Sequence, residues 1–192
     1  QSTSQATVLA VSAPAIYFDS FSSQKLFIEI IPTWFILPIV SFILCFLIGK
    51  YIYKPIRKTG ITISKQVNDN KILKYIILIM SCYVAFSIGS NNVANAAGPV
   101  LSMTVNELGL KAPEHITLIM LMLVFIIAPS FGLGSSFFGY KIVQKTGREL
   151  VLFGKIEAVI IAFVSASLLL WASIEKGVPT SLVQLNVGAI LG

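Results

Sequence analysis

The sequence predicts an all-α, polytopic helical membrane protein built from spanning helices, broken helices and re-entrant hairpins. Three observations carry that prediction. First, 56% of the 192 residues are hydrophobic and only 11% are charged, against roughly 25% charged in ordinary soluble domains. Second, four apolar runs approach or exceed the ~20 residues that a helix needs to cross a bilayer. Third, three shorter segments interleave apolar residues with Ser, Thr, Asn, Gly and Pro, a mixture too polar to face lipid. The balance excludes a cytosolic enzyme, a disordered tail and a secreted disulfide scaffold. The runs also exceed the roughly 10-residue alternating segments of an outer-membrane barrel.

In chain order, the first polar island covers Gln1 to Ile16. A span follows from Ile31 to Ile48, with Trp34 as an interfacial anchor. The next connection holds Lys50, Lys54, Arg57, Lys58, Lys65, Lys71 and Lys74, half of the 14 Lys and Arg residues. Ile72 to Ile88 is the second span, and it runs into the second polar island, Ser87 to Met103. The third span, Ile116 to Phe138, is broken by Pro129 and by Gly132 and Gly134. A second basic connection, with Lys141, Lys145 and Arg148, leads to the fourth span, Val151 to Ser173. The last island is Pro179 to Gly192. In a bilayer, irregular backbone survives only where protein or a water-filled cavity satisfies it, so each island reads as a re-entrant hairpin or broken helix lining a pathway.

The net charge is +6, and the basic residues sit between apolar runs. There they set orientation, which places both basic connections on the cytoplasmic side; no nucleic-acid partner is expected. No basic n-region precedes an apolar h-region, so no signal peptide is expected, and the chain reads as cut at both ends. Cys45 and Cys82 lie inside apolar runs without a CxxC or Cys/His context, and read as two buried structural thiols. Glu157, beside Lys155 near the start of the fourth span, reads as an ion-paired or snorkelling residue with a functional role as the alternative. His115 reads as interfacial. Gly132-Leu133-Gly134-Ser135-Ser136 reads as close helix packing through small residues.

Two of the polar islands repeat. Setting Gln5 against Gln184 puts Ser2 against Ser181, Thr3 against Leu182 and Val8 against Val187. The middle island is the most informative: Ser87-Ile88-Gly89-Ser90-Asn91-Asn92-Val93-Ala94-Asn95-Ala96-Ala97-Gly98-Pro99. Three Asn within five residues are costly in hydrocarbon unless partnered. On a helix Asn91 and Asn95 share one face, with Asn92 beside them. Amide oxygens there can coordinate a small cation such as sodium, and amide NH2 groups or a helix N-terminus can bind an oxyanion. The alternative is that the Asn side chains only hold helices together.

Ser87 to Pro99 resembles the signature of the inorganic phosphate transporter (PiT) family, Gly-Ala/Ser-Asn-Asp-Val-Ala-Asn-Ala-x-Gly-Pro. Residues 139–147 and the closing island, similar to the family's Pro-Val-Ser-Thr-Thr-His motif, follow in the family's order. The resemblance implies a secondary active transporter, not an enzyme: a sodium- or proton-coupled importer of inorganic phosphate in the cell membrane, with two inverted repeats, usually a dimer, and no cofactor. It implies substrate and ion contacts from Ser90, Asn91, Asn92 and Asn95, from Ser2, Thr3 and Ser4, and from Ser181, with Gln5 and Gln184 at the positions of the family's His. Asn91 and Asn95 are the expected sodium ligands. Residues 1–71 would end one repeat and 72–192 would form the other, about half of a full transporter, whose remainder and membrane lipid are further partners.

The departures point toward sulfate as the competing substrate. Asn92 stands where the family has Asp, Gln5 and Gln184 replace His, and Leu182 and Val183 replace two Thr. A non-transporting scaffold subunit is the rival of a different class. Inverted repeats need an odd number of crossings between the two hairpins, whereas four spans give an even number. Either the region 87–108 crosses the membrane once more, as the inverted plan of the resemblance expects, or the two hairpins enter from the same side.

Overall fold

The computed structural model describes residues 2–17, 24–54, 71–109, 112–149 and 155–192. Among them every regular element is helical. Helix α1 is Thr3–Tyr17. Helix α2 is Ile31–Ile48, extended by π-helical turns at Lys25–Ile30 and Gly49–Tyr53. Helices α3, Lys71–Glu107, and α4, Pro113–Glu149, follow. Helix α5, Lys155–Trp171, runs into a π-helical turn at Ala172–Lys176, and α6 is Leu182–Leu191. Four stretches are long and apolar enough to cross a membrane: Lys25–Tyr53, Lys71–Glu107, Pro113–Phe137 and Lys155–Lys176. These coincide with the four expected spans, except that residues 151–154 and much of the first basic connection lie outside the described residues.

The expected breaks are absent from two helices. Helix α3 continues through Gly98 and Pro99 to Glu107, and α4 continues through Pro129 and the Gly132–Gly134 stretch to Glu149. Residues 87–107 thus continue α3 without interruption, as the second half of a 37-residue helix, about 55 Å long at 1.5 Å per residue. The physical reason is local. A Pro removes one helical hydrogen bond, which neighbouring groups in a membrane protein can re-satisfy. The Ser and Thr hydroxyls that make these islands polar mostly bond the carbonyl four residues back. Examples are Thr104 to Val100 at 2.8 Å, Ser130 to Ile126 at 2.9 Å and Ser12 to Val8 at 2.8 Å. Such a residue brings its own acceptor and needs no break in the helix.

The chain divides into two compact units, 1–88 with 154–192, and 89–153. In the first unit α6 packs against α2 and α5. Leu37, Leu169, Ala172 and Leu185 form one buried cluster, and Cys45, Val164 and Ala189 another. The chain reaches α6 by a reversal at Gly177, whose φ of 58° suits glycine. Val178 N then donates to Ala172 O at 3.1 Å.

What seats α6 is close backbone approach. A Cβ on Gly188 would run into the Pro38 carbonyl oxygen, and one on Gly192 into that of Phe42. Gly188 on α6 and Gly192 just past its end, four residues apart, thus meet carbonyls four apart on α2, the small-xxx-small contact of membrane helices. Ser41 Oγ donates to Leu185 O at 2.9 Å, and Trp34 Nε1 to Pro179 O at 2.8 Å. Trp34 is therefore more than an interfacial anchor: it holds the extended stretch ahead of α6. The expected small-residue contact on α4 is not seen; Gly132 and Gly134 are exposed with open space above them. Cys45 is buried as expected, whereas Cys82 is exposed.

The Gly188 contact yields a direct test. Gly188→Val should destabilise the protein by ~1–3 kcal/mol, the usual cost of overpacking, because the obstructing atoms are backbone. Gly134→Val should be nearly silent. Reversible unfolding in detergent micelles reads both; equal effects would contradict the assigned contact.

Candidate functional site

Two helix starts define the first group of polar residues. Ser181 has extended backbone (φ −100°, ψ 114°) and caps α6, its side chain accepting from Gln184 N at 3.4 Å. Ser2 precedes α1, its Oγ accepting from Gln5 N at 3.3 Å. The backbone bonds match too: Ala6 N donates to Ser2 O at 3.0 Å, and Leu185 N to Ser181 O at 3.2 Å. The three residues of each set, Ser2, Gln5 and Ala6 against Ser181, Gln184 and Leu185, correspond at one offset of 179, so the weak sequence repeat marks two copies of one capped helix start.

The copies meet. Gln5 Nε2 donates to Gln184 Oε1 at 3.1 Å, and each Gln is the third residue of its helix. The two first turns, each with backbone N–H groups that lack an intrahelical acceptor, therefore lie within one side-chain pair of each other. Ser4 and Ser181 are buried here, while Thr3 is exposed. Thr180, one residue ahead of the α6 cap, is 3% exposed, and its Oγ1 has no hydrogen-bond partner. Sequence reasoning missed Thr180. The signal available was its place beside a repeated Ser in a polar island.

The Asn residues form the other group, in the second unit. Asn91 is buried, and Asn95 Nδ2 donates to Asn91 Oδ1 at 3.3 Å. The shared face expected from their spacing is present. Ser90 and Asn92 are half-buried. Pro99 carries no N–H for the Asn95 carbonyl four residues back. Oxygen-rich, uncharged groups of this kind suit a small hard cation. Among the described residues no three His, Cys, Asp or Glu side chains gather as a metal site.

Glu157 occupies a third polar position. Tyr53 Oη donates to its Oε1 at 2.6 Å, and its Oε2 is buried without a donor. The Tyr53 bond, made from the end of the α2 extension, was not visible in sequence. His115 is exposed in the first turn of α4.

The repeated caps predict a measurable coupling. In a double-mutant cycle, Gln5→Ala and Gln184→Ala should interact by ~0.6–1.7 kcal/mol, the range for hydrogen bonds between membrane helices. Strict additivity in reversible unfolding would contradict the bond.

Residues 56–192 match the model of the phosphate transporter family. The chain is 28% identical over 192 residues to "Sulfate permease CysP" of Bacillus subtilis, covering all of this chain and 49% of that protein. It is 26% identical over 187 residues to a putative phosphate permease of Methanocaldococcus jannaschii, covering 97% of this chain and 54% of that one. Over 126 residues it is 28% identical to "Inorganic phosphate transporter 2-1, chloroplastic" of Arabidopsis thaliana, covering 63% and 21% of the two chains. A solved structure titled "The sodium-dependent phosphate transporter" aligns with a TM-score of 0.48 at 22% identity, covering 96% of this chain and 51% of that one. The chain thus spans about half the length of the first two relatives.

Proposed function

The chain belongs to the phosphate transporter family, and from that premise we propose that it supplies about half of an ion-coupled permease importing a tetrahedral oxyanion, inorganic phosphate or sulfate. The observation that carries this reading is the meeting of two identically capped helix starts through Gln5 and Gln184. Unsatisfied backbone N–H groups and the positive ends of two helix dipoles favour an anion at such a place. The hydroxyls of Ser2, Ser4, Thr180 and Ser181 and the amide N–H groups supply further donors, with Thr3 at the rim. Desolvating an anion is tolerable only where donors replace its water, and this group is dense in them.

Coupling is assigned to the Asn group. The amide oxygens of Asn91 and Asn95, with Ser90 and Asn92 alongside, bind sodium in this reading; a proton is the other candidate for the coupling ion. The capped starts belong to two repeats, 1–71 and 72–192, in the inverted plan that the family resemblance implies. The complete transporter sits as a homodimer in the cell membrane. Sulfate gains support as substrate from the neutral amides at 5, 92 and 184, and from the similarity to a sulfate permease over the whole of this chain.

Uptake of radiolabelled phosphate and sulfate by the complete transporter in proteoliposomes, with and without a sodium gradient, tests the proposal. The intact protein should accumulate one of the two anions. Asn91→Ala and Asn95→Ala should each lower uptake by an order of magnitude or more and raise the sodium concentration needed for half-maximal rate. Unchanged uptake in both variants would remove the Asn group from the mechanism.

A further inference from the structure

Gln5 and Gln184 are counterparts in the repeat, 179 residues apart, and they bond each other. A residue that meets its own counterpart marks a two-fold relation, as at an isologous dimer interface: what one copy touches across the axis, the other touches in return. Contacts between the copies are therefore expected in pairs. One such contact is already described. Helix α6, which begins the second copy, is seated on α2, the helix that follows α1 in the first. Its pair would seat α1 on the helix that follows α6.

The two faces compare position by position. On α6 the packed face is Leu185, Gly188 and Ala189, all buried. Leu185 shares a buried cluster with Leu37 of α2, and Ala189 shares one with Cys45. The same offset brings Ala6, Leu9 and Ala10 to these places on α1, and all three are exposed, Leu9 by 56%. Ala13, at the place of Gly192, is exposed too. Lipid is a poor cover for this face. Helix α1 has 15 residues, short of the ~20 that reach across a bilayer, and it opens on backbone N–H groups without intrahelical acceptors. Such a segment needs protein around it. The relatives have chain to supply it: the sulfate permease is covered over only 49% of its length.

Resting on the permease reading above, we infer that the face of α1 formed by Ala6, Leu9, Ala10 and Ala13 is a docking surface, and that its occupant is the counterpart of α2 in the remainder of the transporter, the first spanning helix beyond residue 192. The small residues at 6, 10 and 13 let that helix come close. Leu9 stands where α6 has Gly188, so a side chain replaces the backbone contact that Gly188 makes with Pro38, and this pair of helices lies further apart than α2 and α6. Each capped start is then held by the spanning helix of the other copy, and the separation across the Gln5–Gln184 bond is set from both sides.

The test uses the complete transporter in membranes, with every cysteine replaced except those named. Ala10→Cys is paired in turn with a single cysteine at each position of the first apolar helix beyond residue 192, and a short bis-methanethiosulfonate reagent is applied. The reference pair is Ala189→Cys with native Cys45, the contact already described. Ala10→Cys should link at positions recurring every ~3.6 residues, one face of that helix, about as efficiently as the reference pair. In a second measurement, Ala10→Phe should lower the midpoint of thermal unfolding in micelles by a few degrees, while Val11→Phe, on the opposite side of α1, should leave it unchanged. A product of twice the mass from Ala10→Cys alone would assign the face to a second copy and overturn the inference. So would failure at every position while the reference pair links, or equal midpoints for the two Phe variants, which would assign it to lipid. Each of these, in a protein that still takes up anion, leaves the permease reading standing. Linking as expected in a protein that takes up neither phosphate nor sulfate would overturn the permease reading alone.

Discussion

A bilayer offers no water, so every polar group placed in it must be satisfied by the protein or by what the protein carries. That constraint orders the whole structure. Many of the described Ser and Thr residues meet it locally, by bonding a carbonyl on their own helix, as Ser12, Thr104 and Ser130 do. Others bond across helices, as Ser41 does to the Leu185 carbonyl, while Ser2 and Ser181 stand at helix starts, where each secures a backbone N–H. The Gln5–Gln184 bond is the point at which both solutions end. It links two helix starts whose remaining donors have no acceptor within either helix.

The position of this meeting depends on the packing beneath it. Helix α6 has ten residues, too few to span a bilayer, and it holds its place by backbone proximity to α2. Gly188 and Gly192 let it lie against the Pro38 and Phe42 carbonyls, and Ser41 and Trp34 bond its backbone from the side. In lipid, burial of apolar surface does not by itself drive helices together. Close contact and a few hydrogen bonds do, so the glycines of α6 position the cap as surely as the cap residues form it.

Much of this was legible in the sequence, and the reasons differ by element. The four spans could be read because length and apolar content are the direct demands of the bilayer. The repeat at Ser2 and Ser181 could be read because a capped helix start is a local pattern written in a few consecutive residues. The Asn91–Asn95 pairing followed from helical spacing alone. The continuity of α3 and α4 was not legible, since Pro99 and Pro129 look like breaks until the surrounding hydroxyls are seen to bond their own helices. Nor was the Gly188 contact, or Tyr53 against Glu157 and Trp34 against Pro179, because each joins residues more than 100 positions apart. The small-residue run at 132–136 drew attention on composition, while the contact itself is made at 188 and 192; only packing distinguishes the two.

The central claim is that two copies of one capped helix start meet through Gln5 and Gln184. It is tested most directly in membranes, with Cys45 and Cys82 replaced and Gln5→Cys and Gln184→Cys introduced together. A short bis-methanethiosulfonate reagent should link positions 5 and 184 efficiently. Failure to link 5 with 184, with each single cysteine still reactive, would contradict the claim.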